Sequence, residues 1–190
     1  MGSPTIPIDP HGDLTLIVGA DDDAKSFLVS SKVLSVASPV WRAMLSARNG
    51  FKEAGSEEIV FPDDDPEALR IVLLACHLSF PKVPKMVDLI DLANLCTICD
   101  KYDCISLIQP WFSAWASQSL HYVGENGYER WVFIAWVMGD VDVFKRATNR
   151  VVLRCRTNKS GQCLSGDGKR VLDDPLTPGF AGWLMSDPVP

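Results

Sequence analysis

The stretch FLVSSKVLSVASPVWRAML, residues 27–45, decides the fold. Phe27, Leu28 and Val29 form an apolar, β-prone strand end. Ser30 and Ser31 follow at the point where a helix N-cap is wanted, since a hydroxyl oxygen accepts from the free N–H groups of a first turn. Val33, Leu34, Val36 and Ala37 then predict a short helix with an apolar face. Ser38-Pro39 restarts the pattern, with a capping hydroxyl and a proline at the first helical position, where its missing N–H costs nothing. Val40, Trp41, Met44 and Leu45 supply a second apolar face. The stretch therefore reads as a helical hairpin fed directly from a sheet.

Working outward, residues 13–18 (DLTLIV) and 25–29 predict two strands joined by the polar turn GADDDAK, a β-hairpin. The Asp21-Asp22-Asp23 run lacks the spaced ligands, central glycine and closing glutamate of a calcium loop, and reads as a solvated turn. Residues 1–12, with Pro4, Pro7 and Pro10, carry no periodicity and are expected as an extended tail. Beyond the hairpin, residues 46–58 form a polar loop and residues 57–61 (EEIVF) a third strand. PDDDPE, residues 62–67, is a helix start with Asp65 as cap and Pro66 behind it. The helix from Ala68 to Leu78 is apolar nearly all round, the pattern of a buried element. Further helices are predicted over 87–102, after Pro110, over 129–138 and over 141–154. Residues 156–190, rich in Gly and Pro, are expected as a flexible tail with little packed structure.

The chain has 190 residues, 47% hydrophobic and 22% charged, enough for one good core with an extension. A net charge of −6, with 18 Lys and Arg thinly spread, argues against nucleic acid as partner. No run reaches the roughly 18 apolar residues of a membrane span. The first residues lack the basic and apolar regions of a secretory signal, so an intracellular location, cytoplasmic or nuclear, is expected, with thiols rather than disulfides.

No Gly-rich phosphate loop, no G-x-S-x-G elbow and no His at ligand spacing occurs, so no catalytic set is legible and no cofactor is expected. His77, in a buried helix, reads as a satisfied interior residue. Cys96-Thr-Ile-Cys99 has the spacing of a zinc knuckle or redox pair, with Cys104 near in sequence. Both cysteines fall on the apolar face of a periodic helix, where a free Cys behaves as a small hydrophobe. A small metal-binding or redox protein using Cys96 and Cys99 remains the alternative from another class. The aromatics at 111, 112, 115, 131, 133 and 136 are read as core rather than groove.

The order hairpin, helical hairpin, strand, buried helix, helix resembles the BTB/POZ fold, in wording close to its fungal group. The resemblance is carried by residues 12–18 (GDLTLIV), 27–34 (FLVSSKVL), Ser38-Pro39-Val40-Trp41 with Met44, residues 61–67 (FPDDDPE) and residues 99–104 (CDKYDC). Residues 134–140 (IAWVMGD) with Phe144 resemble a C-terminal helical extension of such proteins. The resemblance implies an α+β fold, a small, mainly three-stranded sheet packed on a cluster of helices, with the domain over 13–117 and the extension over 118–155. It implies non-catalytic protein–protein interaction: an adaptor on cullin-type ubiquitin-ligase scaffolds, or a stand-alone oligomerisation module. Cullin-binding members carry an apolar-x-Glu motif after the helical hairpin, which Phe51-Lys52-Glu53 matches, and a partner surface around Leu45 to Glu53 with the edge of the helical hairpin follows. For self-association, Asp13 matches the family's first-strand Asp. Ser30 stands where a His is usual and Ser31 at the basic position, with Lys32 one step round the helix, about 100° away.

Overall fold

The computed structural model describes residues 4–20, 23–46, 53, 55–154, 156–160, 163–166, 168 and 172. The chain divides into two compact units, residues 1–87 with 94–113 and residues 88–93 with 114–190.

The first unit is built on a four-stranded sheet: β1 (Ile6–Pro7), β2 (Leu14–Val18), β3 (Lys25–Val29) and β4 (Glu58–Phe61), in the order β1-β3-β2-β4. β2 pairs antiparallel with β3, Leu14 opposite Val29, and parallel with β4, Thr15 opposite Glu58. Alternation decides the buried side: Leu14, Leu16, Val18, Phe27, Val29, Ile59 and Phe61 all point into the core. Gly12 leads into β2 so close to β3 that a Cβ there would lie 2.5 Å from the Val29 carbonyl oxygen.

Within residues 1–12, expected as an extended tail, a short piece joins this sheet. Ile6–Pro7 pairs parallel with Phe27 and Leu28, and Ile8 is buried. Pro7 fits because an edge strand tolerates a residue that cannot donate. The sheet thus gains a fourth strand beyond the three expected.

The decisive stretch forms α1 (Ser31–Ala37) and α2 (Pro39–Leu45). Ser30 caps α1, its Oγ accepting from Val33 N–H at 3.4 Å. Ser38 is fully buried and every polar group of it is engaged. Its N–H donates to Leu34 O at 3.1 Å, closing α1, and its carbonyl accepts from Arg42 N–H at 2.9 Å, opening α2. Its hydroxyl accepts from Trp41 N–H at 3.1 Å and donates to the Tyr102 carbonyl at 2.5 Å. One side chain thereby caps a helix and ties it to a segment 64 residues away. Leu34 and Trp41 are fully buried. The expected apolar faces need two corrections: Val36 is 70% exposed and Val40 39% exposed, because each lies about 100° or more around its helix from the buried neighbour.

α3 (Pro66–Cys76) begins where expected, with Asp65 accepting from Ala68 N–H at 2.7 Å. Seven of its residues are buried, the all-round burial its composition predicts. It ends in a Schellman turn: Leu78 N–H donates to Ala75 O at 3.2 Å and Ser79 N–H to Leu74 O at 2.9 Å. His77 is held at both ring nitrogens. Nε2 accepts from Ser30 N–H at 3.0 Å, so Nδ1 carries the proton and donates to Leu73 O at 2.9 Å. α4 (Leu89–Lys101) follows, with Asp88 accepting from Ile90 and Asp91 N–H at its start, and then α5 (Gln109–Ala116).

In the second unit α6 (Trp131–Met138) packs on α7 (Val141–Arg154) through a left-handed Gly139. Trp131 and Phe133 are core, as is Trp115, whereas Trp136 is 43% exposed. Arg146 and Arg154 of α7 donate to the Leu120 and Gly124 carbonyls at 3.2 Å each, holding the loop that precedes α6. The chain after residue 156, expected to lack packed structure, continues as a two-strand ribbon of β5 (Arg156–Thr157) and β6 (Cys163–Leu164), with Ser165 and Leu172 buried. Strands of two residues show no alternation for a sequence reading to catch.

Candidate partner-binding groove

α2 turns Trp41 inward and leaves Val40, Ala43 and Met44 on its other side, because residues at i and i+4 share a face. These three, with Pro39, Glu53 and Asp103, line an open depression on the first unit. Its floor is aliphatic, and its rim carries two carboxylates.

The floor is backed by a fixed aromatic cluster. The Trp41 ring lies 4.8 Å from that of Tyr102, and Phe61 meets Tyr102 edge-on at 5.8 Å. Buried Asp64 accepts from the Tyr102 hydroxyl at 2.5 Å and from Lys101 Nζ at 2.6 Å. Burial first, then that carboxylate, hold Tyr102 above the usual phenol range, so it stays a neutral donor. Asp103 reaches the rim because it ends α4 in a second Schellman turn: its N–H bonds Asp100 O at 3.2 Å and Cys104 N–H bonds Cys99 O at 2.9 Å. Its φ of 49° is left-handed, a conformation that Asp tolerates better than most residues. The depression suits a partner that inserts an apolar anchor and sets a cationic group against Glu53 and Asp103.

Of the residues expected at a partner surface, Glu53 is in this groove and Leu45 is half-buried at the end of α2. Phe51 and Lys52 lie outside the described residues. Val40 and Met44 belong to the helical hairpin whose edge is part of the expected surface but are not singled out by the sequence, and Asp103 is not expected there. The signal for the first two was available, since Val40 and Met44 form one i,i+4 stripe and Trp41 and Leu45 another. Asp103 carried none, being 59 residues beyond Met44 in the chain.

Asp13 and Lys32 are not brought together as a charge pair by any bond in the structure. Asp13 turns to Ser31, accepting from its N–H at 2.7 Å and its hydroxyl at 2.6 Å. Those bonds, the hydroxyl first, hold the Asp13 carboxyl below its usual range. Lys32 is exposed on the first turn of α1. Cys96, Cys99 and Cys104 are buried. Burial pushes the Cys96 thiol up to about 12, and the hydrogen bond with Cys104, then burial, hold Cys99 well above its usual value. Among the described residues no three His, Cys, Asp or Glu side chains gather to hold a metal ion, and no helix is long and apolar enough to cross a membrane.

A small capped-hairpin sheet with an apolar, acid-rimmed groove defines a protein–protein interaction module. The BTB/POZ domain is matched over residues 10–113, more than half of the chain, and the chain belongs to that family of non-catalytic interaction domains, whose members often oligomerise. No curated protein matches the chain.

Proposed function

We propose that this protein is an adaptor for a cullin-type ubiquitin ligase, working inside the cell, and that it offers the α2 groove to the scaffold. The observation that carries the reading is the position of Glu53. It is the described member of the Phe51-Lys52-Glu53 motif, and it stands on the rim of an aliphatic depression floored by Val40, Ala43 and Met44. An apolar floor beside a carboxylate is the arrangement of an interface hot spot, where one anchored side chain dominates the binding energy. The test is capture of purified cullin amino-terminal domains by the wild type and by Phe51→Ala, Glu53→Lys and Met44→Asp. Capture by the wild type alone is expected. Equal capture by all four, or by none, would overturn the proposal.

A further inference from the structure

The connection between α3 and α4 exposes three large apolar side chains that the groove does not use. Leu78 is 72% exposed, Phe80 49% and Met86 70%. Phe80 forms a short 3-10 turn with Pro81 and Lys82, and its ring packs 5.5 Å from that of Trp111. Val83, buried between them in sequence, pins the connection, and Pro81 and Pro84 restrict its backbone. The connection is thus presented already ordered, which lowers the entropy lost when a partner binds.

Leu78 is the telling residue. It occupies the left-handed position of a Schellman turn at φ 58°, the place usually held by glycine because a Cβ is strained there. A leucine in that position gives up stability, and its side chain goes largely to solvent rather than to the core. Burial therefore does not explain it. The two non-glycine residues with positive φ among those described are Leu78 and Asp103, and Asp103 already lines the α2 groove. Along the chain, the connection is cationic up to Asp88, which caps the start of α4. Residues 78–87 (LSFPKVPKMV) carry Lys82 and Lys85, both exposed, and no carboxylate, in a chain with 24 Asp and Glu against 18 Lys and Arg.

From the strained exposed leucine, the ordered aromatic two residues on and the two exposed lysines that follow it, we infer that Leu78–Met86 is a second docking surface. Its occupant is an acidic, apolar peptide segment of a partner protein. An aliphatic or aromatic anchor of that segment packs on Leu78 and Phe80 while its carboxylates meet Lys82 and Lys85. The inference rests on the family's role in protein interaction and is independent of cullin binding.

The test is selection from a phage-displayed random peptide library on the full chain. Enriched sequences are then synthesised and titrated by fluorescence anisotropy. Peptides with Asp or Glu flanking Leu, Phe or Trp are expected. Phe80→Ser, and Lys82→Glu with Lys85→Glu, should each weaken their binding about tenfold, a typical loss for truncating an interface anchor. Leu78→Gly should also weaken it while raising the urea midpoint, so lost binding cannot be ascribed to misfolding. Met44→Asp should bind them like the wild type, which separates this surface from the α2 groove. Failure to enrich such peptides, or equal binding by the Leu78, Phe80 and lysine variants, overturns the inference. So does oligomerisation of the wild type that Leu78→Gly abolishes, since the face would then meet a second copy of the chain.

Discussion

Replacing Ser38 by alanine removes the side chain on which the helical hairpin turns. Two bonds go: the cap to Trp41 N–H at 3.1 Å and the donation to the Tyr102 carbonyl at 2.5 Å. Loss of an N-cap hydroxyl costs about 1 kcal/mol. Withdrawing the donor from a carbonyl in a buried site costs a further 1–3 kcal/mol or so. The sum is about 2–4 kcal/mol, large against typical domain stabilities of roughly 5–15 kcal/mol. Ser30→Ala is the internal control. Its cap bond is long, 3.4 Å, and half-buried, so its loss costs at most about 1 kcal/mol. Urea unfolding followed by tryptophan fluorescence reads both, with Trp41 a reporter beside the lost bond. The Ser38 variant should lose at least twice the stability that the Ser30 variant loses, at unchanged slope. Equal, small losses would refute the claim that Ser38 joins the hairpin to the end of α4.

Asp13 is held below the usual carboxylate range by Ser31, so its folded value lies under its unfolded one. Its stabilisation is complete at neutral pH and fades as pH falls through the acid range below about 4. Asp13→Asn should therefore lower the urea midpoint at pH 7 and converge with the wild type in acid, and a gap independent of pH would contradict this. Cys96 and Cys99, with thiols raised by burial and by the bond to Cys104, should resist iodoacetamide in the native chain at neutral pH and label fully in concentrated urea, as mapped by mass spectrometry. Rapid native labelling of either, or stoichiometric zinc in the purified chain, would restore the metal or redox reading.

The hairpin was legible because its signals are local. Ser30, Ser38 and Asp65 each accept from an N–H three residues on, and each is followed by an apolar run. The alternation of β2 and the all-round burial of α3 are also local patterns. What escaped reading depends on distant partners. β1 is two residues long and contains a proline, and only pairing with Phe27 and Leu28 makes it a strand. The β5–β6 ribbon is equally short. The inward turn of Trp41 rather than Val40 brings its ring against Tyr102, which the chain supplies far downstream. For the same reason the sequence motif pointed to Glu53 but not to Asp103, which the left-handed end of α4 delivers to the same groove.

We propose that the α2 groove receives a cullin scaffold. Calorimetric titration of the purified full chain with a cullin amino-terminal domain tests it most directly, with Met44→Asp alongside. Saturable one-to-one binding is expected, abolished by Met44→Asp while that variant's urea midpoint stays at the wild-type value. Absence of binding by the wild type, or equal binding by Met44→Asp, would contradict it.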